Sequence, residues 1–563
     1  MSWTSDLRTA GGWIGGRFRR LGPRRADYSA MAVAPRRDIV AGLTVGVVAL
    51  PLALAFGVTS GMGAGAGLIT AIVAGILAAV FGGSNLQVSG PTGAMTVVLV
   101  PIIATYGANG VLVVGLLAGV ILVGMAVGGM GRFVQFIPLP VIEGFTAGIA
   151  VIIALQQIPA ALGVPSEGER VMAVAVDAVA TWISSPQVWP VLLSVGVMVI
   201  MLAGARLKSP IPMSLVGIVL ATVVAELADL PVARIGDLPR SLPLPQLPDM
   251  NMDMLRVLVV PAFAVAALAA LESLLSATVA DAMSGGSQRH DPDRELFGQG
   301  VANLASPLFG GIPATAAIAR TAVNVRTGAH SRLAAITHSG VLVVVVLALA
   351  PVVATIPLAA LAGVLLATAV RMVEVSGIRA LLRATHRDAA VFAATALATV
   401  ALDLVTAVIL GVGIAGLLAL RAMAASTTIG EIPLAEAGEP GGLPDEATYD
   451  PHIIAYRIEG SLFFGAAHEA LVGLADVADL RVVILRLSRV STLDATGATV
   501  LRDTVQQLHR RGVVVLLSGV KDPHWRVLDI LGVTELIGGP EHVFPDTRTA
   551  VEHARTHVAG AAH

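Results

Sequence analysis

Apolar runs of membrane-crossing length follow one another from residue 38 to residue 424, and this leaves few folds open to the chain. A helix needs about 20 apolar residues to cross the hydrocarbon core of a bilayer. Backbone groups inside lipid must be paired internally, which restricts spanning structures to helices and closed barrels. With 55% hydrophobic and only 13% charged residues and a mean hydropathy of +0.82, an α-helical polytopic membrane protein is expected. Seven runs lie near 38–57, 65–82, 91–106, 110–130, 137–160, 189–206 and 211–228, within a first repeat of 38–228. After a connector carrying Pro239, Pro243, Pro245 and Pro248, seven more lie near 255–283, 294–308, 314–326, 332–352, 356–372, 387–402 and 404–424, within a second repeat of 255–424. An odd number of spans per half makes the two halves run in opposite directions, a 7+7 inverted repeat.

Fourteen spans put both termini on one side, and the arginines say which. Loops after even spans carry Arg132; Arg206 and Lys208; Arg289 and Arg294; Arg326 and Arg332; and Arg371, Arg379, Arg383 and Arg387, whereas most short loops after odd spans carry none. By the positive-inside rule both termini are expected to be cytoplasmic; the longer connectors Glu167–Arg170 and Ala233–Arg240 depart from the pattern, as long loops do. Residues 1–37 are rich in arginine (Arg17, Arg19, Arg20, Arg24, Arg25, Arg36, Arg37) and lack the h-region and cleavage site of a signal peptide, so a retained cytoplasmic segment is expected. The net charge of −2 says little about partners, and the absence of cysteine excludes disulfides, thiolate metal sites and cysteine nucleophiles.

Two apolar runs are broken in matching ways. Ser89-Gly90-Pro91-Thr92-Gly93-Ala94 opens the third span and Ile312-Pro313-Ala314-Thr315-Ala316-Ala317, followed by Ile318, opens the tenth, with the two prolines 222 positions apart. A proline kink explains either break alone. Together, in spans too short to cross as full helices, they predict two half-helices meeting head to head near the midplane, where free amides and the positive dipole ends favour an anion.

Glu272 is a carboxylate inside an apolar span. Such a group is costly to keep charged and is by default functional, which makes proton coupling the expectation; pairing with Arg320 to neutralise a buried cation is the structural alternative. Ser276 follows one turn later on the same face. Arg320 lies seven residues past Pro313, about two turns into the half-helix, where it either lends positive potential to a pocket or snorkels as an end anchor. Gln87, Thr92, Thr96, Thr315, Thr321 and Asn324 are contacts or interhelical packing residues. Asp403 reads as a helix cap, Glu143 as interfacial, and Ser287–Arg294 as a polar loop without metal-ligand spacing. No cofactor and no metal site is expected.

Past residue 430 the pattern changes. A Gly/Pro linker at 431–446 precedes a segment, 447–563, whose apolar strands Ile453–Ile458, Val482–Leu487 and Val513–Ser518 alternate with helical stretches over Ser461–Asp479 and from Asp494 through His509. A compact α/β domain is expected.

The run from Asp38 through Pro51 to Gly57, the Val88-Ser89-Gly90-Pro91-Thr92 break and Phe309 through Arg320 resemble the SulP anion transporters, the sulfate permease and prestin family, over nearly the whole chain. The tail resembles the STAS domain of that family, with Asp494, Thr496 and Gly497 standing in its Asp-x-Ser/Thr-Gly loop. The resemblance implies a core domain (spans 1–4 and 8–11), a gate domain (spans 5–7 and 12–14), a homodimer in a bacterial-type plasma membrane, elevator-like motion, and an anion pocket containing Arg320. It also allows a cytoplasmic protein partner on the STAS domain and phosphorylation at Thr496. In sodium-coupled bicarbonate members of the family the position of Glu272 is an aspartate, with threonines at the position of Ser276 and on the tenth span; here the alignment puts apolar Ile318 at the last, which weakens a sodium site. Leu271–Ser276 with Gly298-Gln299-Gly300 and Asn303 looks closest to the proton-coupled C4-dicarboxylate branch.

Three function classes remain: a proton-coupled importer of an anion (C4-dicarboxylate, sulfate or bicarbonate); an uncoupled exchanger or channel; and a sensor with the STAS domain as output. No Walker loop or catalytic triad appears, and neither an enzyme nor a nucleic-acid partner is expected.

Overall fold

The computed structural model describes residues 20–132, 137–165, 171–207, 212–239, 241–285, 289–402, 404–425, 427–432, 452–463 and 480–560. Arg17, Arg19, Glu167–Arg170, Asp403, most of the linker and most of the helix expected over Ser461–Asp479 lie outside them. The chain forms two compact units, 1–412 and 413–563.

In the first unit a short helix α1 (Arg25–Ser29) precedes α2 (Pro35–Thr59), α3 (Ala64–Phe81), the two-residue strand β1 (Ser89–Gly90), α4 (Gly93–Gly128), α5 (Leu139–Leu162), α6 (Val171–Ser184), α7 (Val188–Arg206), α8 (Met213–Leu227) and α9 (Met252–Met283). Then come α10 (Pro292–Ala305), strand β2 (Thr315–Ala316), α11 (Ile318–Arg326), α12 (Leu333–Ala354, with a π-helical turn at Val345–Leu349), α13 (Leu358–Met372), α14 (Val375–Ala384), α15 (His386–Ala401) and α16 (Leu404–Ala425), whose residues from 413 on belong to the second unit. Among the described residues, seven of these helices (α2, α3, α4, α5, α7, α9 and α12) and the stretch Leu358–Ala384 formed by α13 and α14 together are long and apolar enough to cross a membrane. The third and fourth expected runs are one helix, α4, divided only at Gly107, whose φ of 66° breaks the helical path. Two helices escaped the hydropathy reading. α6 is only 14 residues long, and α14 interleaves Ile378, Leu381 and Leu382 with Arg379 and Arg383, an amphipathic mixture at the end of the Leu358–Ala384 stretch.

The helices pack as two groups. One joins α2, α3, α4, α9, α10, α11 and α12, and the other joins α5, α6, α7, α8, α13 and α15. Small residues permit close packing in the first group: a Cβ placed on Gly67 of α3 would lie 2.0 Å from the carbonyl oxygen of Ala53 on α2. Helix association inside lipid depends on such contacts, because the hydrophobic effect does not act between helices there.

Two of the arginines counted as loop charges are buried instead. Arg294 and Arg332 are 4% and 1% exposed. Asp27 of α1 accepts from Arg294 at 2.5 and 3.2 Å and lies 3.8 Å from Arg332, while Tyr28 Oη donates to the carbonyl of Val80. Burial works against charge on Asp27, but the bonds from Arg294 and the Arg24 amide and the nearby guanidinium charges outweigh it and hold the carboxyl below its usual range. This strap therefore contributes stability at neutral pH that is lost as pH falls through that lowered value. Asp38, fully buried at the start of α2, accepts from the amides of His330 (2.6 Å) and Ser331 (3.0 Å) and from Ser331 Oγ (2.5 Å). Asp38→Ala would leave these donors unsatisfied. Hydrogen bonds to a charged group are worth roughly 1.5–3 kcal/mol each, so a drop in melting temperature of several degrees is expected in detergent, read by intrinsic-fluorescence melting; an unchanged melting point would contradict the assignment.

The second unit builds a five-stranded sheet in the order β3 (Thr428–Ile432), β4 (Ile453–Leu462), β5 (Val482–Leu493), β6 (Val514–Ser518), β7 (Val543–Phe544), antiparallel between β3 and β4 and parallel elsewhere. Helices α17 (Ala495–Arg510), α18 (Asp522–Ile530), α19 (Val533–Leu536) and α20 (Thr547–Gly560) cover it. β3 and β7 were not expected; Thr428–Ile432 pairs with Ala455–Glu459, so the sheet begins ahead of the boundary placed at 430. Asp494 caps α17 by accepting from the Gly497 amide at 2.7 Å, and Thr496 is exposed in its first turn.

Candidate functional site

The two breaks meet. β1 and β2 pair antiparallel, Ser89 opposite Ala316 and Gly90 opposite Thr315, so the loops preceding α4 and α11 are tied into one ribbon. Both helices then start without a side-chain cap, from Thr92 and from Ala317. The first amides of a helix have no partner within it, and here two such ends flank one place: Gly93 and Ala94 in the first turn of α4, Ile318 and Arg320 in that of α11. The ribbon is extended where the sequence reading began a helix at 314. Arg320 consequently lies in the first turn, at the dipole end, instead of two turns along.

Arg320 is 1% exposed, which removes the end-anchor reading. Its Nη2 donates to the Pro91 carbonyl; its Nη1 is buried with no hydrogen-bond partner among the described residues. Gly90 makes room for it, since a Cβ there would come within 2.5 Å of Nη1. Half-buried Glu272 on α9 accepts from Thr92 Oγ1 at 2.8 Å and lies within electrostatic reach of Arg320. A carboxyl, a guanidinium and two sets of helix-start amides thus converge on one place.

The expected polar residues brace the ribbon. Ser273 Oγ meets Thr315 Oγ1 at 3.1 Å and accepts from the Ala316 amide at 3.2 Å. Gln87 Nε2 donates to the Ser273 carbonyl, Asn324 Nδ2 to the Leu86 carbonyl, and the Ala317 amide to the Val88 carbonyl. Asn303 exchanges two bonds of 2.8 Å with Ala314. Ser276 Oγ donates to Thr321 Oγ1 at 2.9 Å, and that oxygen also accepts from the Val88 amide. The α11 hydroxyl that faces Ser276 is therefore Thr321; Ile318 is 43% exposed. Thr96 is buried and bonds back to the Gly93 carbonyl, a packing role.

Glu295, Gln299 and Ser273 were given no site role in the sequence reading, although Gln299 and Ser273 lie in the stretches that carry the C4-dicarboxylate resemblance. Gln299 donates to Ser89 Oγ (2.7 Å) and to Glu295 (3.0 Å), and Glu295 accepts from the amides of Gly83 and Ser84. The spacing Glu295, Gln299, Asn303 puts all three on one helical face, a signal available in the sequence. Ser273 lacked one, since its role depends on the ribbon. The buried ring of His338 has neither nitrogen partnered among the described residues. A separate cavity of about 320 Å³ lies between α2, α4, α5, α6 and α13, with Thr59, Gln156 and Gln157 on its wall and none of the site residues.

Residues 36–395 match the family model described as the sulfate permease family, and residues 446–550 match that of the STAS domain. The chain is 36% identical to YvdB of Bacillus subtilis over 518 residues, 90% of this chain and 96% of that protein. It is 31% identical to the bicarbonate transporter BicA of a Picosynechococcus strain over 493 residues, 84% and 86% of the two chains. Murine Slc26a9, solved as an anion transporter in the inward-facing state, superposes with a TM-score of 0.80 over 92% of this chain and 91% of that one at 18% identity, a likeness of fold.

Proposed function

Because the chain belongs to the sulfate permease family, an anion-transporter family of multi-pass membrane proteins, we propose that it moves a small anion inward together with a proton, Glu272 being the group that takes up and releases that proton. The observation that carries the reading is the convergence of Glu272, Arg320 and the starts of α4 and α11 on one ribbon. Protonated, Glu272 leaves Arg320 and the helix-start amides to hold an anion; deprotonated, its negative charge competes with that anion for the same positive field. This gives coupling without a separate ion path. The ribbon ties both half-helices to one helix group, so that group is read as the carrier and the second group as its fixed partner in an elevator-type exchange, in a homodimer with both termini cytoplasmic. The substrates weighed are bicarbonate, sulfate and a C4-dicarboxylate.

A second reading rests on one contact. The Ser276–Thr321 hydroxyl pair, one turn from Glu272, supplies the oxygen donors that the sequence placed at Ile318, and hard cations are bound by oxygen ligands; sodium is then the coupling ion.

Proteoliposome uptake of labelled bicarbonate, sulfate and succinate separates these readings. With an inward proton gradient, one anion is expected to accumulate, and Glu272→Gln is expected to abolish the accumulation while leaving slow downhill exchange. Uptake driven by sodium, and lost in Ser276→Ala and Thr321→Val, would favour the second reading. Uptake indifferent to both gradients and to Glu272 would overturn both.

A further inference from the structure

The second unit contains a cluster that transport does not use. His553 and His557 stand four residues apart on α20, hence on one face of the helix, with Nε2 atoms 3.2 Å apart. His542 reaches them from the turn before β7. The three rings have centroid separations of 5.4, 5.4 and 5.0 Å, a nearly equilateral triangle, and the three candidate donor atoms all lie within 4.8 Å of one another. All three residues are half-buried.

We propose that His542, His553 and His557 bind one divalent transition-metal cation of the zinc class. Zinc–nitrogen bonds of about 2.0–2.1 Å at a tetrahedral angle require donor nitrogens about 3.3 Å apart, and imidazole centres about 5.2 Å apart. The His553–His557 nitrogens and all three ring separations sit close to those values. The cation draws the third nitrogen in by a small ring rotation.

The surroundings of His542 match those of a metal-ligating histidine. Such a residue donates its other ring N–H to a carboxylate or a backbone carbonyl, which fixes the ring; His542 Nδ1 lies against the Ile537 carbonyl, leaving Nε2 as the metal donor. The turn is shaped around that ring: Gly538 has φ 102°, and a Cβ there would fall 2.8 Å from Nδ1. The ring of His553 is steadied by Phe544, centroids 5.1 Å apart. Three imidazoles leave the fourth position to water, and the cation staples α20 to the turn that feeds the outermost strand.

The test uses the full chain in detergent, its affinity tag removed and metal stripped by chelation, titrated with cobalt(II) and then zinc(II). One cobalt per chain with the strong visible bands of four-coordinate cobalt, displaced by zinc, is expected. His542→Ala, His553→Ala and His557→Ala should each weaken binding by more than the ~100-fold that loss of an outer-shell partner costs, whereas exposed His386→Ala should not. Copper(II) electron paramagnetic resonance on the unmutated chain, which counts coordinated imidazoles, does not depend on how the variants fold. Three imidazoles support the site. Fewer than three, no uptake at micromolar metal, or binding retained when all three histidines are replaced would overturn it, leaving His553 and His557 as a hydrogen-bonded pair.

Discussion

Arg320→Gln is expected to lower kcat/KM for anion uptake by about 100-fold or more, with the protein still folded. The guanidinium is the buried cation of the site, and its unpartnered Nη1 stands beside the ribbon that aligns both helix starts. A hydrogen bond to a charged group contributes roughly 1.5–3 kcal/mol, and 2.7 kcal/mol corresponds to about 100-fold. Glutamine keeps a polar amide but is two bonds shorter than arginine and gives up the Nη2 bond to the Pro91 carbonyl, so the monodisperse elution of the variant is checked alongside its uptake. Arg320→Lys separates the two duties, since a single ammonium cannot both brace Pro91 and face the anion as a planar fork does; an intermediate rate with a raised KM is expected. Labelled uptake in proteoliposomes over a range of anion concentrations measures both variants, and a glutamine variant with unchanged kcat/KM would remove Arg320 from the site.

Gly67→Val should have the largest effect on folding. Its first added carbon would sit 2.0 Å from the Ala53 carbonyl oxygen and 3.0 Å from the Gly57 Cα. Both are backbone atoms of α2 and cannot rotate away. Overpacking a tight core costs typically 1–3 kcal/mol where side chains adjust; here two helices must separate, so more is expected, seen as loss of the monodisperse peak in fluorescence-detected size-exclusion chromatography. Gly124→Val, at a helix position with open space around its Cβ, is the control that should elute normally. A Gly67→Val peak equal to that of the control would contradict the packing.

The site was legible in the sequence as far as local chemistry reaches. Pro91, Pro313 and Glu272 are anomalous inside apolar runs, and an anomaly of that kind stands out without tertiary information. What hydropathy could not show was that Thr315 and Ala316 are extended, because small residues fit a strand or a helix start equally well, and that misplaced Arg320 by more than a turn. Arg294 and Arg332 were counted as solvated loop charges. Arg294 is held by Asp27, and Arg332 by Asn85 and the carbonyls of Ala79 and Val80, partners more than 240 residues away that no local pattern encodes. Likewise His542 joins His553 and His557 only once β7 and α20 have folded back.

The ladder of two residue pairs, Ser89 with Ala316 and Gly90 with Thr315, works as a caliper locked at one width. Opposed strands hold their Cα atoms about 4.5–5.5 Å apart, so the gap between the two helix starts is set by backbone pairing and cannot be widened or narrowed by exchanging side chains along it. On the proposed reading, retuning this protein for a larger or smaller anion is therefore a matter for the walls beside the gap, Glu272 and Thr92 foremost, and substitutions within the ladder itself should break the gauge without recalibrating it.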